Sequence, residues 1–187
     1  RPSSLGKGVR LVSLSVAVMM HPSRECHREY LSARLGPGVT FVMDEGRGIW
    51  DTCRRAWAAR PSGSDFHLVL NDDAILCDGF MERAEEWLSE YAATSFYFGR
   101  RDSYAEAVRA GLVSGCVTLP RLHWGIAVCL PERLIEPMLA FGDSLDIAQD
   151  DARIDRFLRS RGIQVRYPMP SLVDHRIGES LVGDPGC

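Results

Sequence analysis

Lysine is nearly absent from this chain: Lys7 is the only one, and the other 21 basic residues are arginines. Such a bias is typical of proteins from GC-rich genomes, although arginine also suits bidentate contacts with phosphate. The formal net charge is only −3, which gives no overall field that would attract nucleic acid. Composition therefore excludes a strongly basic nucleic-acid-binding protein, while a local basic face remains open.

Long apolar runs are also missing. No stretch approaches the roughly 20 apolar residues that cross a bilayer, and the chain does not open with the basic and apolar regions of a secretory signal. We therefore expect no membrane span and a cytoplasmic protein. Residues 1–8 are expected to form a flexible leader and residues 9–187 a single domain, since this length suffices for one substantial core.

The cysteines lack the paired spacing of zinc or redox motifs. Several lie in apolar runs, where a free thiol behaves as a small hydrophobic side chain, so reduced thiols are expected. The six cysteines are Cys26, Cys53, Cys77, Cys116, Cys129 and Cys187.

Strand-like and helix-like segments alternate through the first half of the chain. Apolar runs predict strands at 9–20, 39–43, 66–70, 94–98, 124–130 and 164–167. Apolar residues at helical spacing predict helices between the early strands and at 149–161, two of them capped by Asp51 and Asp78, whereas 99–123 reads as loop. This order predicts an α/β fold with a central, mostly parallel sheet and helices on both faces.

The most informative segment is 67–73, where an apolar strand ends in Asn71, Asp72 and Asp73. Adjacent carboxylates repel each other, which raises one pKa or lowers stability unless a cation lies nearby. Mg²⁺ prefers oxygen ligands and keeps open positions for phosphates. The alternative is a solvated turn, since these residues favour turns. Because ligands bind beyond the carboxyl ends of parallel strands, His21 and Asp44, which follow the two preceding strands, favour a metal–phosphate site.

With these residues placed, the chain resembles the GT-A-type glycosyltransferases, which use nucleotide-sugar donors, and is most similar to small family 2-like relatives from bacteria and phages. Asn71-Asp72-Asp73 resembles a variant of their DxD motif. The resemblance implies a single-domain, Rossmann-like GT-A fold, with Mn²⁺ or Mg²⁺ held by Asp73 on the donor diphosphate. Asn71 departs from the family pattern, because an acid normally stands there.

The same resemblance implies roles for other residues. His175 is implied as an additional metal or diphosphate ligand, since 170–175 resembles a glycosyltransferase signature, and Trp124 and Gly125 correspond to the acceptor loop. Asp150 and Asp151 resemble an acidic pair in which one carboxylate, with Asp151 favoured, removes the acceptor proton. The implied donor-binding residues are His21, Pro22, Arg24, Asp44, Arg54, Arg55, Asn71 and Asp72.

Each of these residues also has a purely structural interpretation. Arg54 and Arg55 suit a solvated helix face, one of the Asp150–Asp151 pair suits a helix N-cap, and His175 suits a buried structural histidine.

The hypothesis is thus a metal-dependent glycosyltransferase that moves a sugar from a nucleoside-diphosphate donor to an acceptor hydroxyl. The acceptor remains open among a glycan, a metabolite, a protein side chain and a hydroxylated base in phage-type DNA. One alternative is a non-catalytic module with a decayed transferase fold that binds a sugar nucleotide or a partner protein, which Asn71 permits. A nucleotidyltransferase is the third possibility, although the glycine-rich phosphate loop expected near the first strand is missing.

Overall fold

The computed structural model describes residues 12–99 and 104–176, so the predicted leader and Cys187 lie outside the described residues. Short 3-10 turns at Pro22–His27 and Glu132–Leu134 accompany the main elements. In chain order these are β1 (Leu14–Met20), α1 (Arg28–Leu35), β2 (Thr40–Met43), α2 (Ile49–Ala58), β3 (Phe66–Asn71), β4 (Ala74–Leu76), α3 (Phe80–Glu85), β5 (Ala93–Ser95), α4 (Ala105–Ser114), β6 (Cys116–Leu119), β7 (Ala127–Pro131), α5 (Ile135–Asp143), α6 (Asp150–Ser160), β8 (Val165–Pro168) and β9 (Val173–His175).

Seven strands form the central sheet in the order β2-β1-β3-β7-β5-β8-β6. Five of them run in one direction, and only β7 and β6 run the opposite way. The predicted α/β fold with a mostly parallel sheet is therefore confirmed. β4 and β9 form a separate two-stranded antiparallel sheet, in which His175 lies opposite Ala74.

Helices cover both faces of the sheet, and each face has its own apolar layer. Alternate residues of β1 divide between the layers, with Ala17 on one face and Val18 on the other. Trp57 of α2 and Phe157 of α6 pack on the first face, while α1 and α3 pack on the second. Strands covered on both faces lose the polar–apolar alternation of a half-exposed strand, which explains the continuous apolar runs in the sequence.

The expectation of a loop over 99–123 is wrong, because α4 and β6 lie there. In α4 only Gly111 is buried, whereas Leu112 and Val113 are exposed, so the large apolar residues of this segment do not mark a buried helix face. β6 is a four-residue edge strand, and it is defined by pairing with the distant β8.

The predicted helix caps Asp51 and Asp78 are also wrong. α2 begins after Gly48 and α3 after Gly79, with φ values of 96° and 64° that favour glycine. These glycines turn the chain into each helix, so the aspartates remain available for ion pairs: Asp51 with Arg55, and Asp78 with Arg34.

Within the described ranges, no helix has both the length and the apolar character that a bilayer crossing would need.

Candidate functional site

Three parallel strands end level with one another and carry polar residues at their ends. Met20 of β1 pairs with Met43 of β2, and Met19 pairs with Asn71 of β3. The Asp44 N–H then donates to the Met20 carbonyl oxygen at 2.7 Å. The segments that begin at His21, Asp44 and Asn71 therefore start from the same edge of the sheet, where ligands of such folds bind.

Asp72 joins the loop after β1 to the end of β3. Its side chain is buried, with the residue 4% exposed. The His21 N–H donates to its Oδ2 at 2.7 Å, and Arg24 Nη1 donates to its Oδ1 at 3.0 Å. His27 Nδ1 lies 2.9 Å from the Asp72 carbonyl oxygen. Asp72 thus has a structural role, because it holds the 21–27 loop against the end of β3.

Asp73 and Asn71 each present a buried oxygen that lacks a partner. Arg24 Nη1 donates to Asp73 Oδ2 at 3.0 Å, but Asp73 Oδ1 and Asn71 Oδ1 have no hydrogen-bond partner within the described part of the chain. A buried polar atom without a partner costs roughly 1–3 kcal/mol. The two oxygens are therefore candidates for contact with a ligand.

These oxygens fit a divalent cation only in part. Carboxylate and amide oxygens are the donors that Mg²⁺ and Mn²⁺ prefer. However, no group of three or more His, Cys, Asp or Glu side chains in residues 12–99 and 104–176 is arranged to hold a metal. The site thus suits a cation that takes most of its ligands from water and substrate phosphates, as Mg²⁺ commonly does, rather than a closed protein cage.

His175 lies beside this segment. It stands opposite Ala74, the residue after Asp73, in the small β4–β9 sheet, and the next N–H along, that of Arg176, donates to the Asp73 carbonyl oxygen at 2.9 Å. The His175 ring is edge-on to Tyr97, with centroids 5.3 Å apart, and its Nδ1 lies 3.2 Å from the Arg176 carbonyl oxygen. The pairing of two short strands therefore brings a C-terminal histidine to the end of β3.

Arg54 and Arg55 point to different partners. Arg55 donates to Asp51 at 2.8 Å and to the Met43 carbonyl oxygen at 2.8 Å, so it lies across the β2–α2 connection beside Asp44. Arg54 donates to Asp143 at the end of α5, at 3.0 Å. The Asp44 carboxylate itself accepts from the Gly46 N–H at 2.9 Å. Both arginines are held by carboxylates in this structure.

Gly125 brings the start of α6 to the same edge. Strand β7 is antiparallel to β3, so the segment before it lies at the carboxyl ends of the parallel strands, and the Asn71 N–H donates to the Ile126 carbonyl oxygen at 2.9 Å. A Cβ on Gly125 would lie 3.1 Å from Asp151 Cβ. The glycine thus allows the start of α6 to pack closely against this segment. Asp151 contacts Gly125, and the next residue, Ile126, is hydrogen-bonded to Asn71.

Asp150 and Asp151 are the first two residues of α6, and Gln149 occupies the N-cap position. Asp150 is 8% exposed; burial, followed by the negative charge of Asp151, raises its pKa to about 6. Burial also raises the pKa of Asp151, and the charge of Asp155 adds to the effect. Carboxylates with raised proton affinity at a sheet edge are candidates for a general base.

An aromatic cluster lines the edge beyond β5 and includes residues that the sequence reading missed. Trp124 lies 5.1 Å from Phe98 and 5.8 Å from Tyr97, measured between ring centroids. Tyr97 contacts both Trp124 and His175, so it connects the predicted acceptor loop with the predicted metal ligand. A Cβ on Gly99 would lie 2.8 Å from the Trp124 ring, so Gly99 leaves room for the indole. The only signal in the sequence was the aromatic run 96–98, which reads as a strand.

Solved structures resemble this one, although no family model and no curated protein sequence matches the chain. The catalytic domain of Drosophila beta-1,4-galactosyltransferase 7 in complex with xylobiose superposes with a TM-score of 0.55, and a mutant of that enzyme in complex with manganese, UDP-Gal and xylobiose with 0.53. Each is 11% identical, over 90% of this chain and 72% of that chain. A nucleotidyl transferase from Methanothermobacter has a TM-score of 0.52 at 12% identity, over 84% of this chain and 88% of that chain.

The chain has a GT-A-like fold. At these identities the likeness concerns the fold alone, and it confirms the fold class that the sequence predicted.

Within the GT-A-like fold, the residues singled out from the sequence fall into three neighbouring groups. The first surrounds the end of β3 and contains His21, Pro22, Arg24, Asn71, Asp72, Asp73 and His175. The second, at the start of α6, contains Gly125, Asp150 and Asp151, with Trp124 directly before it. The third is the β2–α2 connection with Asp44 and Arg55, whereas Arg54 turns toward α5.

Proposed function

We propose that this chain is a metal-dependent glycosyltransferase that moves a sugar from a nucleoside-diphosphate donor to an acceptor hydroxyl. One observation carries the proposal. In a GT-A-like fold, the partnerless buried oxygens of Asn71 and Asp73 lie at the same edge of the sheet as the segment 125–126, against which a pair of carboxylates with raised pKa, Asp150 and Asp151, is packed. Glycosyl transfer needs both kinds of group: one set to bind a charged leaving group, and a base to take the acceptor proton.

The donor end of the site is assigned to the first group of residues. Asp73, with Asn71 and His175 beside it, would hold Mn²⁺ or Mg²⁺. When bound, the cation offsets the negative charge that develops on the leaving diphosphate. We assign His21 and Pro22, which follow β1, and Asp44, which follows β2, to the nucleoside, because the two strands end level at this edge of the sheet. The Drosophila enzyme solved with manganese and UDP-Gal supports this class of donor.

Arg55 is assigned a positioning role on the donor side. Its guanidinium joins the Met43 carbonyl oxygen to Asp51 and to Glu45, which fixes the segment that presents Asp44. Arg54, bound to Asp143, is assigned an outer position on the same side.

The acceptor end is assigned to the start of α6 and the aromatic cluster. We assign the base to Asp151, because it is the more accessible of the two carboxylates and contacts Gly125. We assign the half-buried rings of Trp124 and Tyr97 to contact with the apolar face of a sugar. We favour a glycan or a small hydroxylated compound over DNA as acceptor, because Arg54 and Arg55 are held by carboxylates and form no open basic face.

The first experiment is a screen of nucleotide sugars by thermal shift, with and without Mn²⁺. A ligand at 100 times its dissociation constant adds about 2.7 kcal/mol of stability, which a melting curve detects. The donor found in this way is then incubated with wild type and with Asp73→Ala, and release of the nucleoside diphosphate is measured. Release that needs both Mn²⁺ and Asp73 supports the proposal. Donor binding that is unaffected by chelator, with no release, would instead identify the non-catalytic module.

A nucleotidyl transferase is the second candidate, because the structural match to the nucleotidyl transferase from Methanothermobacter extends over most of both proteins. The loop after β1 argues against it. Residues 21–27 contain no glycine and form a 3-10 turn that Asp72 holds, rather than a glycine-rich phosphate loop. Release of pyrophosphate from a nucleoside triphosphate and a sugar phosphate would identify this activity, whereas a glycosyltransferase releases a nucleoside diphosphate from the nucleotide sugar.

A further inference from the structure

Arg24 lies between the two carboxylates at the end of β3. Its Nη1 is 3.0 Å from Asp72 Oδ1 and 3.0 Å from Asp73 Oδ2. The arginine side chain is only 20% exposed, and both carboxylates are buried more deeply. Charges shielded from water in this way interact more strongly than surface pairs. One positive charge of the protein's own therefore already offsets part of the negative charge at the position that would receive a metal.

The carboxylates of Asp72 and Asp73, which both contact Arg24, differ in the number of their other hydrogen-bond partners. Asp72 also accepts from the His21 N–H, and its carbonyl oxygen is bound to His27, so this carboxylate is fixed by several partners. Asp73 binds Arg24 through Oδ2 only, and its Oδ1 is without a partner among the described residues. The contact with Asp72 is thus structural, whereas the contact with Asp73 is the one that a ligand can replace.

We propose that Arg24 competes with the divalent cation for Asp73, and that the donor diphosphate relieves this competition. The inference rests on the proposed function. A dication on Asp73 lies beside the guanidinium held on Asp72, so the cation alone binds weakly. A diphosphate provides negative charge to the cation and to Arg24 together, so cation and nucleotide strengthen each other's binding. Arg24 thereby couples metal loading to the presence of the donor.

The test measures Mn²⁺ affinity from the electron paramagnetic resonance signal of free Mn²⁺, without nucleotide and with UDP. Arg24→Gln removes the guanidinium charge and keeps an amide N–H for Asp72. Mn²⁺ alone should bind at least tenfold more tightly to this variant than to wild type, a difference of about 1.4 kcal/mol. The enhancement of Mn²⁺ binding by UDP should shrink by the same factor.

Arg28→Gln is the matched control. Arg28 lies four residues after Arg24, at the start of α1. It stacks on Phe41, with its Cζ 4.4 Å from the ring centroid, and pairs with Glu25. Loss of this charge should leave the Mn²⁺ affinity at the wild-type value. Tighter binding in both variants would show a general effect of net charge and would overturn the assignment to Arg24.

Unchanged or weaker Mn²⁺ binding by folded Arg24→Gln would also overturn the proposal. If that variant does not fold, the double variant Arg24→Gln/Asp72→Asn removes the guanidinium together with the buried charge that it balances. It is compared with Asp72→Asn alone, in which Arg24 can still bind Asp73. The same tenfold ratio is expected, and equal affinities refute the competition.

Asp73→Asn in the presence of UDP separates this inference from the function on which it rests. If the change leaves Mn²⁺ binding intact, the cation does not bind at Asp73, and both the metal assignment and the competition fail. If Asp73→Asn abolishes binding but Arg24→Gln behaves as wild type, the metal assignment stands and only the role of Arg24 is wrong.

Discussion

Asp150→Asn should stabilise the protein near neutral pH and have little effect near pH 4. Burial raises the pKa of Asp150 from 3.8 to about 6, so the folded state binds a proton that the unfolded chain has already lost. The stability gained from protonated Asp150 is complete below pH 3.8 and is lost as the pH rises through 6. At 1.36 kcal/mol per pKa unit, the ionised carboxylate costs the folded state about 3 kcal/mol at pH 7 and above.

Asparagine has nearly the same shape and carries no charge, so the variant should lack this cost. We expect the free energy of unfolding of Asp150→Asn to exceed that of wild type by about 3 kcal/mol at pH 7.5 and to be close to it at pH 4. Urea unfolding followed by circular dichroism at several pH values between these limits measures the difference. Asp146→Asn, at an exposed aspartate just before α6, serves as the control and should leave stability almost unchanged at every pH.

A stability difference for Asp150→Asn that is constant from pH 4 to pH 7.5 would refute the reasoning, because it would show that Asp150 is not held in a desolvated site. The expected result would mean that the chain tolerates a destabilising charge at the edge of the sheet. Such a cost is common at functional sites, where stability and activity make opposing demands.

Three other predictions follow from named contacts. Asp151→Asn should lower kcat by about 100-fold or more while the dissociation constant of the donor stays the same, because a general base acts only on the acceptor; steady-state kinetics with a donor-binding titration tests this, and equal losses in both quantities would assign Asp151 to the donor. His67 is buried between Ser15 and the Ala56 carbonyl oxygen, which lies 2.9 Å from Nε2, and burial lowers its pKa from 6.5 to about 4. The free energy of unfolding of wild type should therefore fall by about 3 kcal/mol as the pH falls through this window. His67→Gln should lack that part of the pH dependence in urea unfolding. Gly125→Ala should slow turnover several-fold, because the new Cβ would lie 3.1 Å from Asp151 Cβ and displace the start of α6. Gly38→Ala, where nothing lies within 4 Å of the added Cβ, is the control. Turnover by Gly125→Ala at the wild-type rate would show that the close packing of Gly125 on Asp151 does not matter for activity.

The central strands could be predicted from sequence because their burial on both faces leaves an unbroken apolar run. β1 and β3 are of this kind, and their carboxyl ends locate the edge where the polar residues gather. The elements that were missed depend on partners distant in sequence. β4 and β9 have three residues each and exist as strands only because they pair with each other, and α4 buries a single glycine.

The same limit applies to the site. The polar residues at the end of β3 could be selected from sequence, because carboxylates next to an apolar strand are unusual. That Arg24 would bind both Asp72 and Asp73 could not be predicted, since the contact depends on how the loop after β1 folds back over β3. Tyr97 was missed for a related reason: its contacts with Trp124 and His175 join three segments that are far apart in the chain.

The most direct test of the proposed donor site is a crystal structure of the protein with Mn²⁺ and UDP. The account predicts Mn²⁺ bound directly to Asp73 and to the diphosphate oxygens, with the nucleoside between the ends of β1 and β2. A nucleotide bound elsewhere, or Mn²⁺ with no protein ligand at the end of β3, would contradict it.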